Sequence, residues 1–256
     1  MKEKSRNFVV GDIQGHFFKF LELMEKIRFN PKIDHMYFLG DIINRGPKSE
    51  LMLDWAYENQ HCSSLILGNH EEHLINCYTH GRQYLKEFDT LEIILEHPKL
   101  EKWIDFLKNT PYVRWVVEDQ KKLNFFLVHA GINPLLTLKE NYELGKNLTW
   151  NENPKQGAKK YFIYLRYVDK DGNFSSTEYK GPVLKHSNKM PPNCYLWTEF
   201  VKEDLKETFL FFGHFAALGL YKHPDKNIFC LDSGLVWGNE LSCYCIEEKK
   251  IYQISS

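Results

Sequence analysis

Residues 7–12 read NFVVGD, residues 35–41 read HMYFLGD and residues 63–70 read SSLILGNH. Each is an apolar run of strand length that stops at a glycine and then presents an aspartate or asparagine. Between them lie FFKFLELMEKI (17–27) and SELMLDWAYEN (49–59), and EEHLINCY (71–78) follows, all amphipathic at helical spacing. The order β-α-β-α-β-α predicts a sheet with parallel strands and right-handed crossovers. Open α/β sheets take their ligands at the carboxyl ends of such strands, which is where these polar residues fall.

Downstream, DTLEIILEHPKLEKWIDFLKN (89–109) predicts two helices broken at Pro98, because proline lacks an N–H and disfavours helix in its predecessor. This segment, about residues 82–110, is expected to form a helical cap over the sheet edge. Val113–Glu118 and Leu123–His129 predict two strands around the turn DQKK, and TFLFFGH (208–214) and NIFCLDSG (227–234) predict two more. LSCYCIEEKKIYQI (241–254) reads as a closing hairpin. Residues of about 133–192, interrupted by KQGAKK, VDKDGN and KMPPN, are expected to form an insertion that covers the site. A chain of 256 residues, 43% hydrophobic and without repeats, is expected to be one α/β domain.

The bulk composition excludes several classes. A formal net charge of -1 leaves no global field for nucleic acid or an anionic membrane, so no stable nucleic-acid complex is expected and a polyanionic substrate must be met locally. No run approaches the roughly 20 apolar residues that span a bilayer, and MKEKSRNFVVGDIQGH lacks a signal-peptide core. The six cysteines contain no CxxC pair, and Cys243 and Cys245 fall on one face of a strand. Buried, reduced thiols in a cytoplasmic protein are expected.

Five blocks carry the chemistry: Gly11-Asp12-Ile13-Gln14-Gly15, Gly40-Asp41-Ile42-Ile43-Asn44-Arg45-Gly46, Gly68-Asn69-His70-Glu71, His129-Ala130-Gly131 and Gly213-His214. A lone Gly-Asp at a strand end is usually a turn or a helix cap. Five in order, four of them after strand-like runs, form a metal-ligand inventory of carboxylate, amide and imidazole without thiolate.

In these blocks the sequence resembles the phosphoprotein-phosphatase branch of the calcineurin-like metallophosphoesterases. That pattern runs Gly-Asp-x-His-Gly, Gly-Asp-x-x-Asp-Arg-Gly, Gly-Asn-His-Glu, His-Ala-Gly and a late Gly-His. Within the branch it is most similar to symmetrical bis(5'-nucleosyl)-tetraphosphatases, through GNHEEHL, LEIILEHPKLEKWIDFLKNTP, VHAGINP, LRYVDKDGNF, FFGHFAALG and IFCLDSGLVWGNELSC. The resemblance covers most of the chain. It implies an α/β (α+β) four-layer β-sandwich flanked by helices, with two divalent metals (Mn²⁺, Co²⁺ or Mg²⁺) at one edge. It implies that Asp12 and Gln14 hold the first metal, Asp41 bridges both, and Asn69, His129 and His214 hold the second. His70 would be the proton-donating histidine, and Arg45 and Arg166 would grip phosphate oxygens.

The activity implied is hydrolysis of diadenosine tetraphosphate to two ADP by attack of metal-bound hydroxide on an inner phosphorus. The same inner anhydride occurs in nucleoside-tetraphosphate caps at RNA 5' ends. The alternative is a protein serine/threonine or tyrosine phosphatase on the same two-metal site. A binding module that keeps the fold without activity is disfavoured by the intact set Asp12, Asp41, Asn69, His70, His129 and His214.

Three positions depart from the family pattern. Gln14 replaces the usual histidine, a weaker ligand for the first metal. Tyr164 stands where tetraphosphatases often carry an arginine. Asn44 stands where protein phosphatases carry the aspartate that pairs with the catalytic histidine. Without that ion pair the site is expected to suit phosphoanhydrides, whose leaving phosphate needs less proton donation than an alkoxide; the plain alternative is that Asn44 caps its own turn.

Other residues have two readings each. His16 belongs in the first helical turn rather than on a metal. His73, one turn after His70, either orients a ligand or packs. Tyr161, Tyr164, Trp197 and Trp237 are candidates to stack on a base, each set against ordinary packing. Lys155, Lys159, Lys160, Lys185 and Lys189 read as a solvated face that can also screen a polyphosphate. His35, His61, His80, His97, His186 and His223 read as surface or structural.

Overall fold

In the computed structural model β1 (Asn7–Val10) is buried on both faces, as its unbroken apolar run requires when layers cover both sides. The structure describes residues 5–118, 123–153, 156–176, 190–203 and 205–256. The turn at 119–122, Lys155, Lys185, His186 and Lys189 lie outside them.

After β1 come α1 (Phe17–Ile27), β2 (His35–Phe38), α2 (Ser49–Glu58), β3 (Ser63–Leu65) and α3 (Asn69–His80). Strands β1, β2 and β3 pair in parallel. The closing hairpin, β12 (Glu240–Cys245) and β13 (Lys250–Ser255), extends this sheet antiparallel to β1, giving the order β13-β12-β1-β2-β3.

The second sheet has the order β10-β11-β9-β5-β4. Its strands are β4 (Val113–Glu118), β5 (Leu123–Val128), β9 (Phe209–Phe212), β10 (Tyr221–Lys222) and β11 (Ile228–Cys230). The three central strands β5, β9 and β11 are parallel, flanked by antiparallel edges.

The two sheets meet through Val9, Tyr37, Leu39 and Ile66 on one side and Phe125, Leu127, Phe211 and Phe229 on the other. Tyr37 meets Phe125 edge to face at 5.1 Å. Alternate residues point outward under helices: Phe20 of α1 packs edge to face on Phe38 and on Trp55 of α2. Helix, sheet, sheet and helix therefore make four layers.

The expected cap consists of α4 (Glu92–Leu95) and α5 (Leu100–Lys108), broken at Pro98. It packs on α2 and α3 and flanks the β3 edge, so it adds to the helical layer. In the expected insertion, α6 (Leu138–Lys146) and α7 (Lys159–Tyr164) precede β6 (Tyr167–Val168) and β7 (Phe174–Ser175), which form a small antiparallel sheet with β8 (Tyr195–Leu196) just past its expected end. Of the five lysines expected on a solvated face, only Lys159 and Lys160 are among the described residues; Lys160 is half-buried and Lys159 is 1% exposed. The six cysteines are all buried and free, and Cys243 and Cys245 share a face as their spacing requires.

Candidate active site

Six parallel strands end at one edge of the sandwich, and each delivers a polar residue there: Asp12 after β1, Asp41 after β2, Asn69 after β3, His129 after β5, His214 after β9 and Asp232 after β11. The turns that deliver them are tight. Gln14, Asp41, Asn44, Arg45 and His214 all have φ between 46° and 75°, a region that side chains with a Cβ occupy only when the surroundings enforce it. Glycine is required beside them: a Cβ on Gly213 would stand 2.2 Å from Asp12 Oδ1, and one on Gly68 would stand 2.3 Å from Asp41 Oδ1.

Glu71 organises the centre. Fully buried at the start of α3, its carboxylate accepts from the backbone N–H groups of Asp41 (2.7 Å), Ile42 (2.9 Å) and Gly68 (3.0 Å). The β2 and β3 turns are thereby tied together. Asp12 accepts from the backbone N–H of His214 at 3.0 Å, which ties the first sheet to the second.

Asp41, His129 and His214 present ligand atoms that all lie within 4.8 Å of one another. His129 Nδ1–H donates to Leu39 O at 2.7 Å, so its Nε2 lone pair faces inward, 3.1 Å from Asn69 Oδ1 and 3.4 Å from Asp41 Oδ2. Gln14 Oε1 is buried without a hydrogen-bond partner. Converging lone pairs and an orphaned amide oxygen are what a cation site offers, and oxygen and imidazole donors without thiolate suit hard divalent ions. The residues present fit a divalent-metal centre.

The local field agrees. Burial, then the charges of Asp232 and Asp41, hold the Asp12 carboxyl well above the usual carboxylate range. Burial pushes Asp232 up to about 7, with Gly234 N–H opposing and Asp41 adding to the rise. Burial would raise Asp41 too, but His129 and His70 beside it hold it low. Crowded carboxylates of this kind call for a cation.

Gln14, Asp41, Arg45, Asn69, His70, Arg166, His214, Asp232, Trp237 and Asn239 line one cavity of about 480 Å³. Every expected site residue is thus in this cavity or beside a residue that is, Asp12 through its hydrogen bond from His214 N–H and His129 with Nε2 3.1 Å from Asn69 Oδ1. Asp232 and Asp89 were not singled out from the sequence, and Glu71 was named only as the end of the block Gly68-Asn69-His70-Glu71, without a role. Asp232 repeats the strand-end signal in LDSG; the role of Glu71, and Asp89 altogether, are recognisable only from what they touch.

Several alternatives resolve. His16 Nδ1 contacts Ile13 O and Gln14 O at the start of α1 and is a turn residue. Tyr161 and Trp197 are buried packing residues. Tyr164 is half-buried with its ring edge-on to His214 at 6.3 Å, and burial pushes its phenol up to about 12. Trp237 is 72% exposed on the cavity rim, carried on a single 3-10 turn between Gly234 and Gly238, both left-handed.

A model of the calcineurin-like phosphoesterases matches residues 6–218. The chain belongs to the calcineurin-like phosphoesterase family. This calcineurin-like phosphoesterase is 30% identical to a Cellvibrio japonicus protein named symmetrical bis(5'-nucleosyl)-tetraphosphatase, over 96% of this chain and 97% of that one. It is 29% identical to a Neisseria gonorrhoeae protein of the same name, over 98% and 95%. Among solved structures, a protein provisionally called a diadenosine tetraphosphatase superposes with a TM-score of 0.71 at 18% identity, covering 100% of this chain and 95% of that one. A Saccharomyces cerevisiae protein serine/threonine phosphatase superposes at 0.66 and 14%, covering 99% and 80%. Those two likenesses concern the fold. The phosphoesterase carries no helix, among the described residues, long and apolar enough to cross a membrane.

Proposed function

We propose that this phosphoesterase hydrolyses diadenosine tetraphosphate at its central anhydride, releasing two ADP. The observation that carries the reading is one cavity lined by the candidate ligands Gln14, Asp41, Asn69 and His214 together with two guanidinium groups and one exposed indole. The names of relatives matched over nearly the whole chain support it.

In this reading Asp12 and Gln14 would hold a first divalent cation and Asn69, His129 and His214 a second, with Asp41 shared between them. Bound Mn²⁺, Co²⁺ or Mg²⁺ would activate the attacking water and neutralise the phosphoryl charge. Arg45 and Arg166 clamp phosphate oxygens, since planar guanidinium forks match them. His70, whose Nε2 lies 3.6 Å from Asp41 Oδ2, offers an N–H toward the same space. Trp237 gives one adenine a flat face, and its short turn between two glycines holds the ring at the rim. Reduced thiols throughout fit a cytoplasmic setting.

Kinetics of the Mn²⁺ enzyme on diadenosine tetraphosphate, a phosphoserine peptide and tetraphosphate-capped RNA test the reading. The largest kcat/KM is expected on diadenosine tetraphosphate; a preference for the peptide would establish the protein-phosphatase alternative, and a preference for the RNA would move the substrate to capped ends. Trp237→Ala is expected to raise KM for diadenosine tetraphosphate about tenfold, as loss of one stacked base implies, with KM for inorganic tetraphosphate unchanged. A uniform effect on both would remove the indole from base recognition.

A further inference from the structure

His70 is not backed by a carboxylate. The group against its Nδ1, at 2.8 Å, is the side-chain nitrogen of Asn44, and Asp89 lies one step behind it. The orientation of the Asn44 amide is fixed: its Oδ1 accepts from the backbone N–H groups of Arg45 (2.8 Å) and Thr90 (2.9 Å), so its nitrogen must face His70. That nitrogen has two hydrogens, and the second goes to Asp89 Oδ1 at 2.8 Å. Asp89 Oδ2 in turn accepts from His73 Nε2 at 2.6 Å and from Lys86 N at 2.7 Å. Asn44 is fully buried and the Asp89 side chain is 2% exposed, so water does not compete for these contacts.

We propose that Asn44 and Asp89 form one unit that directs a hydrogen-bond donor at His70 Nδ1, fixing the imidazole hydrogen on Nε2 and matching the site to leaving groups that depart as anions. Asp89, supplied by the segment before α4, is a positioning residue that acts through Asn44, and His73 and Lys86 hold it. The inference rests on the phosphoanhydride reading above for its biological sense, but its geometry stands apart from it.

The chemistry follows from the direction of one hydrogen bond. In hydrolysis the water oxygen bonds to phosphorus, and the bond from phosphorus to the bridging oxygen breaks with its electron pair on that oxygen. A departing nucleoside diphosphate keeps the pair as an anion and asks only for a hydrogen bond, which Nε2–H gives. A departing alkoxide must take a proton. An imidazole whose Nδ1 already accepts from an amide would become an anion on giving up its one hydrogen, so it does not serve that role.

The contacts also say how to reverse the unit. Asn44→Asp alone brings a carboxylate oxygen to 2.8 Å from Asp89 Oδ1, and Asp89→Asn alone brings NH₂ against a donor whichever way it turns. The exchange Asn44→Asp with Asp89→Asn keeps every contact and reverses only its direction, leaving an acceptor against Nδ1.

Wild type and the exchange variant, both with ¹⁵N-labelled histidine and loaded with Mg²⁺, are compared by long-range ¹H–¹⁵N spectra and by hydrolysis of an aryl and an alkyl phosphomonoester. His70 is expected to carry its one hydrogen on Nε2 in wild type and a hydrogen on each ring nitrogen in the exchange variant, where the carboxylate against Nδ1 holds the one and Nε2 gives the other to the departing alkoxide. The aryl-to-alkyl rate ratio is expected to fall at least about tenfold in the exchange variant, the low end of what proton donation contributes. Each single variant is expected to lose activity on both esters. A wild-type spectrum with the hydrogen on Nδ1 would overturn the proposal without any variant, and so would an unchanged rate ratio in a folded exchange variant. Because neither readout uses diadenosine tetraphosphate, failure on that substrate would count against the proposed function and not against this unit.

Discussion

The carboxylate and backbone of Asp41 join four parts of the molecule. Its N–H goes to Glu71, its carbonyl accepts from Ile13 and Gln14, its Oδ1 takes the N–H of His70, and its Oδ2 faces the imidazoles of His70 and His129. Asp41→Asn keeps the shape and the acceptor for His70 N, so the fold is expected to persist. Turnover is expected to fall about a hundredfold or more, as a metal bridge requires; near-normal turnover at saturating Mn²⁺ would remove Asp41 from that role. Gln14→His bears on the other metal position. Histidine tolerates the positive φ there better than most residues, and imidazole binds Mn²⁺ or Co²⁺ more strongly than an amide oxygen. Half-activation in a Mn²⁺ titration should move to lower concentration, and an unchanged midpoint would take Gln14 out of contact with the metal. These candidate ligands were legible because each stands in a short motif beside a glycine. Asp89 was not: in DTLEIIL it looks like the start of a helix, and its meaning depends on a contact 45 residues away in sequence.

At the level of elements, α3 shows how two adjacent identical residues part company. Glu71 faces the turns after β2 and β3, whereas Glu72 faces the opposite way, accepting from Tyr112 OH at 2.7 Å and forming a buried ion pair with Lys159 at 2.9 Å. Lys159 Nζ also donates to the carbonyls of Thr149, Trp150 and Glu152, so one ammonium anchors that loop to α3. The sequence KQGAKK suggested a solvated face; nothing local marks which lysine turns inward. Removing one partner of a buried pair leaves an uncompensated charge, so Lys159→Met should lower unfolding stability by about 3 kcal/mol. Chemical denaturation measures this directly. Replacing Glu72 by leucine in the same protein should recover part of the loss, and a Lys159→Met protein as stable as wild type would show that the pair contributes nothing. Strands and long helices were legible from period and glycine punctuation. The three-stranded sheet of β6, β7 and β8 was not, because two-residue strands carry no period.

Across the whole molecule, two half-sites from two sheets meet at one edge. The first sheet was readable as β-α-β repeats, and the second as isolated apolar runs ending in polar residues. That they would stack face to face came from the resemblance, since Tyr37 and Phe125 are 88 residues apart and no local signal pairs them. A metal held between the two sheets would tie the layers together, so EDTA is expected both to abolish turnover and to lower the thermal midpoint, each restored by Mn²⁺ or Co²⁺. Loss of activity with an unshifted midpoint would mean that the metal does not bridge the sheets. Separating the nucleotides that the Mn²⁺-loaded protein forms from diadenosine tetraphosphate tests whether this edge cleaves the middle anhydride. ADP as the sole product is the predicted result; ATP and AMP in equal amounts, or no turnover by a protein that hydrolyses phosphoserine peptides, would contradict it.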